Sequence, residues 1–275
     1  MVVVLGLVTA FSWAFANLFT QQAARRAEPQ VIVFWVLLVC CAALIPCTLL
    51  IDGTDGPWTL RALAPPVAAG LLGDVGFLLL LRALRSGSLS VVAPIIAIEG
   101  GVAAALSVAL GERPSVLQVV LLGVAVVGTV LVSVEPGRRT AAGAGAAALA
   151  SIAYAGALVG LGMAEQDPLT SVSIARTASL IAIVPLFLLA RGLPPRGTIR
   201  PIVGCGLLDA VGFAFFAFAA MVGPLSVASV VATQWGTAAA VIGIVLLRER
   251  LHANQYVGIA VTLLAVTGLG IAGAG

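Results

Sequence analysis

The chain has very little charge. Asp, Glu, Lys and Arg together make up 9% of its 275 residues, whereas hydrophobic residues make up 61%, and the mean hydropathy is +1.18. Soluble domains carry about 25% charged residues. A water-soluble fold of this length could not cover its surface with so few charges. The composition therefore excludes a soluble protein and predicts an integral membrane protein.

Several residue types and motifs are also missing, which narrows the function. All fourteen basic residues are Arg, and the net charge of +3 is too small and too scattered to predict a nucleic-acid partner. His252 is the only histidine, and the sequence contains no Walker loop, no G-x-S-x-G and no H-E-x-x-H. ATP-driven pumps and the common hydrolases depend on those motifs. We expect no enzyme activity and no cofactor.

Cysteine is scarce and shows no functional pattern. Cys40, Cys41, Cys47 and Cys205 lie in apolar segments, with no CxxC pair and no histidine nearby. A redox or metal site would need such partners, so we interpret these cysteines as small packing residues and expect no metal. Residues 1–22 carry no basic region before their apolar run, so we expect a first membrane span rather than a cleaved signal peptide.

Long apolar segments dominate the chain. A membrane-spanning helix needs about 20 predominantly apolar residues, and ten segments meet this requirement. Every connection between them is short, which leaves no room for a soluble domain. The predicted fold is an all-α integral membrane protein with helices near 2–22, 30–51, 62–84, 88–111, 114–134, 141–163, 168–190, 199–221, 224–247 and 252–273.

The sequence repeats itself. Three sets of residues recur at nearly constant spacing: Pro29, Pro46, Thr59 and Arg61 as Pro168, Pro185, Thr198 and Arg200; Gly76-Phe77 and Leu89-Ser90 as Gly212-Phe213 and Leu225-Ser226; Glu112 and Gln118 as Glu249 and Gln255. Each copy holds five spans, so the second copy enters the membrane with the opposite orientation. We predict two inverted five-helix repeats, residues 1–137 and 138–275, an architecture of secondary transporters.

Arginines predict the orientation in the membrane, because cytoplasmic loops are enriched in them. The loops after the odd-numbered spans hold most of the arginines, and the loops after spans 2, 4, 6 and 8 hold only Arg61 and Arg113. This bias places the odd-numbered loops in the cytoplasm and both termini outside. The odd-loop arginines are Arg25, Arg26, Arg82, Arg85, Arg138, Arg139, Arg191, Arg196, Arg200, Arg248 and Arg250.

Two stretches resemble a known family. Residues 89–123 read LSVVAPIIAIEGGVAAALSVALGERPSVLQVVLLG, and residues 225–258 read LSVASVVATQWGTAAAVIGIVLLRERLHANQYVG. A span ending in G/R-E-R, followed by Gln and an apolar helix with glycine, is similar to the EamA-type drug/metabolite transporters. The spacing from Pro168 to Arg176 resembles the second-helix pattern of that family, whereas the first copy has Leu37 instead of the arginine.

The resemblance implies a ten-helix basket with a central cavity lined chiefly by spans 1, 3, 4, 6, 8 and 9. It also implies a carrier for small metabolites or drugs. Members usually place both termini in the cytoplasm, which is the opposite of the orientation that the arginines predict. Glu99 resembles the acidic residue that many members carry midway along the fourth helix.

Four charged residues lie well within spans: Asp74, Glu99, Arg176 and Asp209. Each costs about 2.5–3.5 kcal/mol at the bilayer centre on insertion scales, so such residues usually serve function. Arg176 could neutralise one carboxylate as a fixed structural pair. Alternatively, the carboxylates could bind a cationic group or a proton in a cavity. We expect the second role foremost for Glu99, which lies deepest and follows Pro94, where the helix should bend.

Aromatic and amide residues within spans form a second group of candidates. Gln234 and Trp235 occupy the repeat position of Glu99, so we expect these sites to face each other across the pseudo-two-fold axis. An acid opposite an amide and an indole would suit a substrate with an amine and an apolar body, because an indole face attracts cations. The remaining candidates are Trp13, Asn17, Trp35 and Tyr154. Any one tryptophan or tyrosine alone is weak evidence, because Trp and Tyr usually act as interfacial anchors.

These observations predict a secondary active transporter for a small metabolite (an amino acid, an amine or a drug-like compound) that works by alternating access. We expect it in the cell (inner or plasma) membrane, in contact with the lipid bilayer and a small-molecule substrate, with protons as a candidate coupling ion. The alternative is an integral-membrane enzyme or flippase that acts on a lipid head group. Such an enzyme would need clustered acids or histidines at one interface, whereas the acids here are scattered.

Overall fold

The ten predicted spans are helices in the computed structural model, which describes residues 1–24, 26–53, 56–86, 89–134, 143–190, 192–248 and 251–272. A single turn of 3-10 helix, Arg196–Thr198, precedes α9. The α-helices are α1 Val2–Ala24, α2 Pro29–Ile51, α3 Leu60–Ser86, α4 Leu89–Ile96, α5 Glu99–Ala109, α6 Val116–Ser133, α7 Ala144–Gly162, α8 Pro168–Ala190, α9 Ile199–Val222, α10 Leu225–Ala232, α11 Trp235–Leu247 and α12 Ala253–Ala272.

All ten spans are long and apolar enough to cross a membrane, by length and composition. Helices α4 and α5 together form the fourth span, and α10 and α11 form the ninth. Large apolar side chains cover the outside of the bundle, including Leu50, Val116 and Leu189, each at least 80% exposed. Such a surface suits lipid rather than water. The predicted fold class is therefore confirmed.

The helix contacts show how the two repeats fit together. Helix α1 packs against α9, and α3 packs against α7, so the first helix of each repeat meets the third helix of the other. The second helices, α2 and α8, pack together, as do the last helices, α6 and α12. Exchanging the repeats leaves this contact pattern unchanged. The bundle therefore has a pseudo-two-fold axis. Because each repeat has five spans, an odd number, the second repeat is inverted relative to the first, and the axis lies in the membrane plane.

The bundle has two ends, face A and face B. Face A is the end at which α1 finishes at Ala24 and α2 begins at Pro29. Face B is the opposite end, at which α1 begins at Val2 and α2 finishes at Ile51. The predicted boundary between the repeats at 137/138 lies outside the described residues and stays a prediction.

The fourth and ninth spans are both broken near their middle. Helix α4 ends at Ile96 and α5 begins at Glu99, while α10 ends at Ala232 and α11 begins at Trp235. The break in the fourth span follows Pro94, as the sequence predicted. The break in the ninth span has no proline and was not predicted from the sequence.

Polar side chains make the second break possible. At the break the Gln234 backbone N–H donates to the Val231 carbonyl, which leaves the Val230 carbonyl without its helical backbone donor. The Gln234 side-chain amide donates to the Val230 carbonyl over 2.9 Å, and the Thr233 hydroxyl lies 3.1 Å from the same carbonyl oxygen. Backbone groups at membrane depth need such partners because lipid supplies none. In the sequence, the available signal for this break was the pair of adjacent polar residues, Thr233 and Gln234, within an apolar span.

The repeated glutamines also have a local structural role. Gln118 completes a capping box with Ser115 at the start of α6, and the Gln255 carbonyl accepts a hydrogen bond from the His252 backbone over 2.9 Å at the start of α12. Each glutamine thus satisfies a backbone donor that the helix start leaves free.

Close packing of α3 on α8 depends on Gly70. A Cβ atom built at Gly70 would lie 2.1 Å from the Ala175 carbonyl oxygen, and the Ser179 hydroxyl donates to the Gly70 carbonyl over 2.9 Å. We expect Gly70→Ala to destabilise the protein by about 1–3 kcal/mol, because the added methyl group forces the two helices apart. Thermal unfolding in detergent measures this change.

Gly73, one turn further along α3, supplies the matched control. No atom lies within 4 Å of a Cβ built at Gly73, so Gly73→Ala should leave the melting temperature nearly unchanged. Equal melting temperatures for the two variants would contradict the close helix contact.

Candidate functional site

A central cavity of about 250 Å³ lies between the repeats. Its lining comes from α1, α2, α3, α4, α5, α7, α8, α9 and α11. The second and seventh spans thus contribute in addition to the six spans that the family resemblance implied. Eight of the ten predicted site residues line the cavity: Trp13, Asn17, Asp74, Glu99, Tyr154, Arg176, Asp209 and Trp235.

Glu99 and Trp235 meet in this cavity. Glu99 is the first residue of α5 and Trp235 the first residue of α11, so both helix breaks face the same place. The Trp235 indole N–H donates to Glu99 Oε1 over 3.1 Å, and Glu99 is only 6% exposed. The two positions differ by 136 residues, which is the repeat spacing of Leu89 and Leu225. Repeat-equivalent residues in contact lie on either side of the pseudo-two-fold axis, so an acid and an indole meet beside this axis.

Aromatic rings line the cavity from both repeats, and the repeated Gly-Phe pairs explain how. A Cβ at Gly76 would lie 2.9 Å from the Tyr154 ring, and a Cβ at Gly212 would lie 2.5 Å from Nε1 of Trp13. Each glycine therefore makes room for an aromatic side chain from the first helix of the other repeat. The next residue in each pair, Phe77 or Phe213, lines the cavity.

The remaining charges of the cavity lie on α3, α8 and α9. Arg176 Nε is 3.7 Å from Asp209 Oδ2, and its guanidinium carbon lies 3.5 Å from the centre of the Phe213 ring. This geometry combines an ion pair with a cation–π contact. Asp74 also lines the cavity, and its Oδ2 atom is buried without a hydrogen-bond partner among the described residues. Three carboxylates therefore share the cavity with one guanidinium group.

Two predicted site residues lie outside the cavity lining. Trp35 packs edge-on against Phe34 and Phe187. Gln234 is buried at the break of the ninth span, where its carbonyl accepts a 2.6 Å hydrogen bond from the Thr129 hydroxyl. Its amide satisfies a backbone carbonyl, so this side chain ties α6 to the break instead of facing the cavity.

Beyond the predicted residues and the aliphatic ones, four aromatic, hydroxyl or thiol side chains line the cavity: Phe77, Phe213, Thr20 and Cys205. The Thr20 hydroxyl and Cys205 thiol lie 3.1 Å apart. The signal for the phenylalanines was present, because Gly76-Phe77 and Gly212-Phe213 are repeated pairs. Nothing in the sequence pattern distinguished Thr20 and Cys205 from packing residues. No group of three or more His, Cys, Asp or Glu residues within the described ranges could hold a metal ion.

Comparisons with known proteins identify the family. The model of the EamA-like transporter family matches residues 1–134 and again residues 141–271, and no curated protein matches the chain. A solved structure described only as "Crystal structure of protein" shares the fold with a TM-score of 0.78 at 15% identity, covering 98% of this chain and 96% of that one. Members of the family are membrane transporters of small molecules rather than enzymes. The chain therefore belongs to the EamA-like transporter family and is a multi-pass membrane transporter of small molecules.

Proposed function

We propose that the protein is a secondary active transporter that binds a small organic cation with an apolar body, such as a protonated amine or amine-bearing metabolite, in the central cavity. The observation that carries this proposal is the contact between the Glu99 carboxylate and the Trp235 indole at the paired helix breaks. The Glu99 carboxylate attracts the cationic group. The Trp235 ring turns its N–H edge to this carboxylate and also lines the cavity, where an aromatic face attracts cations.

Electrostatics favours a cation over an anion. With Glu99, Asp74 and Asp209 ionised and Arg176 protonated, the lining carries three negative charges and one positive charge, a net charge of −2. A cation entering the cavity would replace part of the lost hydration of these carboxylates. An anion would meet repulsion from the same groups in a medium of low dielectric constant.

The aromatic lining favours an apolar body attached to the charge. Trp13, Phe77, Tyr154, Phe213 and Trp235 line the cavity, and flat rings bury apolar substrate surface at little entropic cost.

We propose protons as the coupling ion, since a buried carboxylate that binds a cation also binds a proton. Because the substrate cation and the proton would compete for one carboxylate, they would cross the membrane in opposite directions.

The fold supports alternating access as the mechanism. Inverted repeats allow the two halves to exchange conformations, so a site on the pseudo-two-fold axis can open to one face and then to the other. The breaks in the fourth and ninth spans lie beside the site and can absorb the bending.

We propose that the protein resides in the cell membrane with face A in the cytoplasm, as the arginines favour. The described arginines at or near face A are Arg26, Arg82, Arg196, Arg200 and Arg248.

A matched ligand series tests the substrate class. We expect an arylalkyl amine and its quaternary ammonium analogue to raise the melting temperature of the detergent-purified protein, because a ligand that binds the folded state stabilises it. At a hundredfold excess over Kd the stabilisation is about 2.7 kcal/mol. The control ligands are the alcohol of the same shape and the corresponding carboxylate. If either control stabilises the protein as much as the amine, the proposed cation selectivity is wrong.

A further inference from the structure

Face B is held together by hydrogen bonds that run from one repeat to the other. Glu112, after the fourth span, accepts from Ser226 at the start of α10: Oε2 from the backbone N–H over 3.0 Å and Oε1 from the hydroxyl over 2.5 Å. Asp52, after α2, accepts from Thr170 at the start of α8: Oδ2 from the backbone N–H over 2.9 Å and from the hydroxyl over 3.2 Å. We call these two contacts the cross-repeat caps.

Both cross-repeat caps join a carboxylate of the first repeat to a helix N-terminus of the second. The N-cap residue of α10 is Pro224, which makes no side-chain capping bond, so Glu112 supplies the acceptor that the helix start lacks. A carboxylate also interacts favourably with the positive end of the helix dipole. Ser226 is fully buried and Thr170 is 6% exposed, which shields the bonds from water in this conformation.

The cavity lies between the two faces. Its lining on α1 and α2 runs from the middle of these helices toward face A, from Trp13 to Thr20 and from Leu37 to Ile32, whereas its lining on α7 runs from Tyr154 to Leu161 toward face B. Beyond Leu161, the end of α7 packs tightly on the start of α10, since a Cβ at Gly162 would lie 2.3 Å from a Leu225 methyl carbon. The caps and this packing lie on the same side of the cavity.

We propose that the two cross-repeat caps form the latch that keeps face B closed, and that Glu112 and Asp52 thereby set the balance between the two access states of the transporter. Opening face B separates the starts of α8 and α10 from the first repeat, which breaks all four hydrogen bonds. The freed groups lie at helix ends near the membrane surface, where water replaces the lost partners. The latch therefore opens without leaving buried groups unpaired. This inference rests on the proposed alternating-access function.

Two cysteine reporters measure the access states without any substrate. In a background with the four native cysteines replaced by alanine, Leu161→Cys reports on face B, because Leu161 lines the cavity one residue before the end of α7. Val33→Cys reports on face A, because Val33 lines the cavity near the start of α2. The measured quantity is the rate at which a polar maleimide alkylates each cysteine in detergent.

We expect Glu112→Gln to raise the alkylation rate at Leu161→Cys on the order of tenfold, the effect of losing one charge-assisted hydrogen bond. The double variant Asp52→Asn with Glu112→Gln should raise it further and should lower the rate at Val33→Cys, because the two access states exclude each other. Ser226→Ala, which removes only the hydroxyl donor, should give a smaller increase. The matched control is Glu165→Gln, the same substitution at an exposed residue of face B.

The reciprocal change separates a latch from a merely structural contact. A faster reaction at Leu161→Cys with an unchanged rate at Val33→Cys in the double variant would indicate local loosening and would overturn the proposal. An unchanged rate at Leu161→Cys in Glu112→Gln and Ser226→Ala proteins that remain monodisperse would also overturn it. If the ligand series fails while the reciprocal labelling is observed, the substrate proposal is wrong and the latch stands.

Discussion

Replacing Glu99 with glutamine is expected to abolish proton-coupled or cation transport while leaving the fold intact. Glutamine has nearly the same shape as glutamate, and its carbonyl oxygen can still accept the hydrogen bond that Trp235 Nε1 donates to Glu99. The substitution removes only the charge and the proton-binding capacity at the centre of the cavity. Removing a buried charge partner of a bound cation costs about 2–5 kcal/mol, which corresponds to a loss of binding of about thirtyfold to a few thousandfold.

Transport in proteoliposomes across a range of pH measures this effect. Size-exclusion chromatography and thermal unfolding of the same preparation show whether the fold is retained. Trp235→Phe is the informative companion variant: it keeps an aromatic face but loses the indole N–H, so we expect weakened rather than abolished transport. Wild-type transport by Glu99→Gln at every pH would show that the carboxylate has only a structural role.

The second large effect is expected at Arg176. Arg176→Gln would leave Asp209 without its partner in a cavity that already holds two other carboxylates. The side chains of Arg176 and Asp209 are only 12% and 19% exposed, so water cannot fully compensate for the lost cation. Breaking a buried ion pair by removing one partner costs about 3–5 kcal/mol. We expect Arg176→Gln to lower the melting temperature markedly.

A double-mutant cycle shows whether the effect belongs to this ion pair. Arg176→Gln combined with Asp209→Asn removes both charges and should recover most of the lost stability. Arg61→Gln, at an exposed arginine of face B, is the control for loss of a positive charge. If the double variant is no more stable than Arg176→Gln alone, the stabilising partner of Arg176 is not Asp209.

The charge distribution within the spans gave the best sequence-level guide to the site. Asp74, Glu99, Arg176 and Asp209 stood out because a charged residue in an apolar span is costly, and all four line the cavity. Aromatic residues were a weaker guide, because tryptophan serves equally as an interfacial anchor or a packing residue. Trp35 has the same residue type as Trp13 but packs against phenylalanines outside the cavity lining.

The sequence alone determined the ten spans, the repeat and its inversion, because these depend on local hydrophobicity and on counting helices. Only the tertiary structure decided which residues meet. The Glu99–Trp235 contact joins residues 136 positions apart, and the Glu112–Ser226 contact joins residues 114 positions apart. Helical periodicity carries no information about such pairs. The break at Thr233 and Gln234 likewise depends on hydrogen bonds to backbone carbonyls and to Thr129 on another helix. The sequence could not show these bonds, because a polar residue in a span has many possible partners and only the packing of the helices selects one.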